Sequence, residues 1–100
     1  MSTKNHSSKE FFAEYGELTF AEVLRGFRLS DESTQIEFAK KLGISPANLC
    51  DLEKGRKLPT ATRAAAIARK IGLPEELLIQ VAIQDELTKQ KIKYRVSIAA

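Results

Sequence analysis

Residues 34–60 read TQIEFAKKLGISPANLCDLEKGRKLPT, a stretch that spells two short helices joined by a tight turn. Thr34-Gln35-Ile36-Glu37 is a capping box: the Thr hydroxyl accepts from a free amide of the first turn, and the Glu reaches back to the cap. Phe38, Ala39 and Leu42 then share one apolar face, and Gly43 is placed to take the left-handed conformation that ends a helix. Ser45-Pro46 restarts the chain, with Ser as cap and Pro at the first helical position, where its missing N–H costs nothing. In this second helix Leu49, Leu52 and Glu53 fall on one face, and Ala47, Asn48, Asp51 and Lys54 fall towards the other. Gly55 closes it, residues 56–59 form a basic loop, and Thr60 caps the next helix. Two short helices around a Gly turn make a helix-turn-helix unit. Ala39 is small where the second helix must cross, and Leu49 is placed to plug the angle between the two.

The same local rules carry the reading outward. Upstream, Thr19-Phe20-Ala21-Glu22 is another capping box, Leu18 and Val23 can staple it, and Phe20, Val23, Leu24 and Phe27 recur at helical spacing. Residues 30–33 interrupt the pattern as a polar loop. Downstream, Ala64, Ile67, Ala68 and Ile71 define the inward face of a helix stopped by Gly72. Pro74-Glu75-Glu76 opens a further helix running to about Lys89, its acidic first turn matching the positive end of the helix dipole. The fold class expected is therefore all-α: a compact five-helix domain over residues 18–89 that contains the helix-turn-helix unit.

Both ends carry additional signals. The helix ending near Lys89 is apolar on two sides: Leu77, Leu78, Val81 and Ala82 point one way, and Ile79, Ile83 and Leu87 nearly the opposite way. A helix apolar on two sides is buried on two sides. Beyond it the period changes to two: Ile92, Tyr94, Val96 and Ile98 alternate with polar residues. That alternation predicts a short C-terminal β-strand within residues 90–100, pairing with a second copy and covering Ile79, Ile83 and Leu87. Residues 1–17 read as a flexible N-terminal segment, with an aromatic cluster of Phe11, Phe12 and Tyr15.

Composition narrows the function classes. The single cysteine, Cys50, excludes an intramolecular disulfide and a multi-cysteine zinc site, and the lone histidine, His6, offers no paired metal motif. No nucleophile–base pair or phosphate-cradling glycine loop is present, so neither an enzyme nor a cofactor or metal is expected. No apolar run is long enough to cross a bilayer and no signal peptide opens the chain, which points to a cytoplasmic protein. A net charge of +3 says little by itself. Its placement says more, because Lys40, Lys41, Lys54, Arg56, Lys57 and Arg63 crowd the helix-turn-helix region against only Glu37, Asp51 and Glu53.

From Thr34 to Thr60 the chain closely resembles the phage-repressor (Cro/repressor, Xre) family of helix-turn-helix regulators, and the likeness extends over about residues 20–78. The resemblance implies that the helix of residues 45–54 enters the major groove of double-stranded DNA. It implies base-reading positions at Pro46, Ala47, Asn48 and Asp51, and phosphate contacts from Gln35, Ser45, Lys54, Arg56 and Lys57. It further implies an ion pair between Arg28 and Glu53. Ser33 stands where the family usually has a hydrophobic residue. The chemistry of readout agrees: Asn48 can pair with adenine and Ala47 can touch a thymine methyl, while Asp51 is either an acceptor for the cytosine amino group or an exposed acid. The doubly apolar last helix and the C-terminal alternation point to a homodimer, and a dimeric repressor of this kind is expected on a palindromic operator. Within the family the chain is similar to antitoxins of the HigA kind, which neutralise a co-expressed ribonuclease toxin and repress their own operon. In that alternative Phe11, Phe12 and Tyr15 supply a toxin-binding segment; otherwise they pack over the domain's own core.

Overall fold

The computed structural model describes residues 18–99. Five helices succeed one another: α1 (Phe20–Ser30), α2 (Gln35–Leu42), α3 (Pro46–Glu53), α4 (Ala61–Ile71) and α5 (Glu75–Lys89). Their starts lie where the capping residues put them. Thr19 and Thr34 each accept from the backbone N–H three residues on, while Glu22 and Glu37 return the bond to the cap. Ser45 and Thr60 cap α3 and α4 in the same way through their hydroxyls. Each such cap is worth about 1 kcal/mol.

The core is one cluster to which every helix contributes. Phe20 and Leu24 of α1, Phe38 of α2, Leu49 of α3, Ile67 of α4, and Leu78 and Val81 of α5 are its largest fully buried side chains. Each stabilises the fold by roughly 1.5 to 3 kcal/mol through removal from water. Ala39, Ala64 and Ala68 are wholly buried, and their small size lets neighbouring helices approach. α5 lies chiefly against α4 and also touches α1; α3 is held between α1 and α2.

The turn between α2 and α3 fixes the angle of the helix-turn-helix unit. Gly43 sits at φ 73°, and the N–H of Ile44 reaches back to Ala39 O at 3.0 Å. A side chain here would be strained by that φ, and its Cβ would come within 3.0 Å of Lys70 Nζ. Lys70 itself donates to Leu42 O at 2.9 Å, so a cation from α4 caps the end of α2.

Asp85, on α5, performs the complementary task at the start of α1, accepting from Phe20 N at 2.7 Å. Its carboxyl is held above the ordinary aspartate range, chiefly by burial and despite that hydrogen bond. A raised folded value means that the native state holds this proton more tightly than the unfolded chain does. Its stabilising contribution is present in acid and is lost as pH rises through that value. We expect the parent to gain stability over Asp85→Asn as pH falls from neutral to about 4; thermal melts of both proteins measure it. A constant difference in melting temperature would show that Asp85 titrates normally.

The C-terminal strand is not seen. Among the described residues there is no β-strand, and residues 92–99 continue from α5 without regular structure. Strands exist by pairing, and the described residues offer no second one. The side chain of Gln84 takes the partner's place instead, its Nε2 donating to Tyr94 O at 3.0 Å and its Oε1 accepting from Val96 N at 2.8 Å. The Gln84 carboxamide thus helps tie the segment to α5, beside the bond from Ile92 N to Leu87 O at 2.9 Å.

Candidate nucleic-acid interface

α3 has one locked face and one open face. Leu49, Leu52 and Glu53 are buried. Pro46, Ala47, Asn48 and Lys54 are exposed, and Cys50 and Asp51 are half-buried at the margin. The Ser45 hydroxyl accepts from Asn48 N at 3.1 Å, which leaves its own proton free to donate. Pro46, with no N–H, stands in the first turn without leaving a donor unsatisfied.

The buried face is held by charge as well as by packing. Arg28 grips Glu53 with two bonds, Nε to Oε2 at 2.7 Å and Nη2 to Oε1 at 3.0 Å. Its remaining Nη1 donates to Ser33 O at 3.0 Å. The side chains are 13% and 1% exposed, so the pair is nearly dry. Glu53 holds the Arg28 guanidinium in its charged form beyond the ordinary range, first through the hydrogen bond. Ser33, polar where an apolar residue is usual, contributes its carbonyl to this network and sends its hydroxyl to Asp31 at 2.8 Å.

Gln35 joins the same cluster, its Nε2 donating to Glu53 Oε1 at 3.1 Å. A residue expected on a phosphate therefore also links the start of α2 to the buried face of α3. Its spacing from Glu53 gave no sign of this, because the contact depends on how the two helices cross.

A second network lies across the far end of α3. Gly55, at φ 73°, reverses the chain so that the N–H groups of Arg56 and Lys57 return to Asp51 O, at 2.9 and 3.3 Å. The same turn delivers the side chains. Arg56 Nε lies 2.9 Å from Asp51 Oδ1, and Lys57 Nζ lies 3.5 Å from Oδ2. Lys57 Nζ also donates to Asn48 Oδ1 at 3.4 Å, and Arg56 Nη2 is 3.6 Å from Cys50 Sγ. The Arg56 hydrogen bond is the main cause holding the Asp51 carboxyl below the ordinary aspartate range. Asp51 is thus no free acceptor in the unbound protein. The five- and six-residue spacing across a helix-ending Gly is the sequence signal for this clasp. Lys89, on α5, donates to Gly55 O at 3.0 Å and ties the turn to the body of the domain.

The remaining candidate residues separate by location. Ile79, Ile83 and Leu87 lie half-buried on α5, as do Val96 and Ile98 beyond it, and Ile92 and Tyr94 are exposed. Phe11, Phe12 and Tyr15 lie outside the described residues. Among the described residues no group of His, Cys, Asp and Glu could hold a metal ion. No helix there is long and apolar enough to cross a membrane.

A helix locked on its inner face, open on its outer face and rimmed by cations defines a helix-turn-helix DNA-binding regulator. A family model described as Helix-turn-helix, of the Cro/repressor type, matches residues 24–78. That is more than half of the chain, and this protein belongs to the phage-repressor, Xre-like family of helix-turn-helix proteins. No curated protein and no solved structure matches it.

Proposed function

We propose that this chain is a homodimeric transcriptional repressor that reads a palindromic operator with α3. The observation that carries the reading is the division of α3. Its inner face is fixed by Leu49 and the Arg28–Glu53 pair, while Pro46, Ala47 and Asn48 stand exposed beside Lys54, Arg56 and Lys57. A reading helix must be rigid behind and open in front, with positive charge at its edges to meet the phosphates. Asn48 is the base reader in this arrangement. Ser45, Gln35, Lys54, Arg56 and Lys57 hold the backbone. Homodimerisation draws on the exposed Ile92 and Tyr94, at 39% and 77%, together with the outer residues of α5. A two-fold dimer sets its reading helices about 34 Å apart, one turn of DNA, and so demands a palindrome. Neutralisation of a ribonuclease would draw on Phe11, Phe12 and Tyr15 and forms no part of this reading.

Alanine substitutions separate the roles. Asn48→Ala is expected to cost about 1 to 3 kcal/mol on the operator and to relax preference at one base pair per half-site. Lys57→Ala is expected to weaken binding to both operator and random DNA, and to reduce the salt slope on the operator by about 1. Binding titrations on both duplexes at several salt concentrations measure these effects. Equal losses on the two duplexes for Asn48→Ala would remove it from base reading.

A further inference from the structure

We infer that Asp51 is a selectivity residue: an internal competitor that holds Arg56 and Lys57 back from the phosphates of non-operator DNA. This rests on the reading of α3 as the DNA-contacting helix.

The geometry is built by the chain rather than by chance contact. Gly55 turns residues 56 and 57 back onto α3, and their backbone N–H groups bond the carbonyl of Asp51. Its carboxylate then meets Arg56 with one oxygen and Lys57 with the other. The cations remain 55% and 59% exposed, so they face solvent, but a carboxylate already sits on them. A phosphate approaching this rim must displace or share that carboxylate. Arg56 and Lys57 therefore present less charge to a duplex than their number suggests, and fewer counterions leave when non-specific DNA binds. Lys57 also spans from Asp51 to Asn48, so the competitor and the base reader share one cation.

On an operator the balance differs. On a matched sequence a cytosine amino group takes over from Arg56 and Lys57 as partner of the Asp51 carboxylate, which frees both cations for the phosphates. On random DNA no such partner is in place, and a displaced Asp51 faces the phosphates unpaired. The acid thus weakens the non-specific mode more than the specific one, which widens the ratio between them.

Asp51→Asn tests this, since the change keeps the side-chain volume and removes only the charge. Glu32→Gln is the matched control: Glu32 is an exposed acid in the α1–α2 loop, and its loss changes the net charge by the same amount. The probes are a duplex selected by the parent protein from a random 20-base-pair pool and an unselected duplex of equal length. One added effective phosphate contact steepens the salt slope by about 0.9, which is roughly a fivefold gain at 0.15 M salt. Asp51→Asn is expected to show that gain on the unselected duplex and a smaller gain, or a loss, on the selected one. Glu32→Gln is expected to move both little and equally. If Asp51→Asn shifts the two duplexes equally, or leaves the slope of the unselected one unchanged, the clasp has no role in selectivity. A parent that enriches no sequence refutes the reading of α3 itself, and the inference with it.

Discussion

Glu53→Ala is expected to destabilise the domain by about 3 to 5 kcal/mol, a fall of well over 10 °C in melting temperature. The Glu53 side chain is 1% exposed and accepts three hydrogen bonds, two from Arg28 and one from Gln35. Its removal strands the Arg28 guanidinium, 13% exposed, with only Ser33 O as partner. A stranded buried charge costs more than the intact pair contributed, because its desolvation is no longer offset. Arg28→Ala is expected to be at least as damaging, since Glu53 has no route to water and keeps Gln35 alone. A double replacement by apolar residues, Arg28→Met with Glu53→Leu, is expected to restore much of the lost stability and so to separate stranded charge from lost packing. Thermal or urea melts give the answer. A Glu53→Ala protein melting with the parent would mean that water reaches the site and that the pair does not hold α3.

The helices were legible because their signals are local. Thr19 with Glu22, Thr34 with Glu37, and Ser45 with Pro46 each state a helix start within four residues, and Gly43 and Gly72 state two of the ends. The buried face of α3 was equally plain, since Leu49, Leu52 and Glu53 can only fall together on one side. Contacts set by tertiary placement were not legible. Lys70 on the end of α2 and Lys89 on the α3–α4 turn look like any solvated lysine until the helices cross. Asp51 was ambiguous for a similar reason. Its outward position comes from helical spacing, but the approach of Arg56 and Lys57 depends on the turn at Gly55. The C-terminal alternation misled in a more general way. A period of two identifies an extended segment with one apolar face, yet it cannot supply the partner that makes such a segment a strand. In the single chain that partner is the carboxamide of Gln84.

A chain ending after Lys91 is expected to fold as a monomer and to bind its operator about 10²- to 10⁴-fold more weakly. Folding survives because no residue beyond Ala82 belongs to the buried core, and α5 already ends at Lys89. What is lost is the segment that leaves Ile92 and Tyr94 exposed while lying along α5. In a dimer the second reading helix binds at the high effective concentration set by the first, and that advantage vanishes when the copies separate. The salt slope is expected to fall by about half, since each copy then neutralises its own phosphates alone. Binding to a single half-site should be unchanged, which distinguishes loss of pairing from damage to α3. Gln84→Ala provides a milder version. It removes both carboxamide bonds to the segment without shortening the chain, and weaker dimerisation would show that the carboxamide presents the segment in the geometry that pairing needs. Sedimentation gives the oligomeric state, and titrations on full and half operators give the affinities. A truncated chain that remains dimeric and binds the full operator like the parent would move the interface elsewhere. A full-length chain that is monomeric alone, but captures a second protein through residues 92–98, would assign the segment to a partner instead.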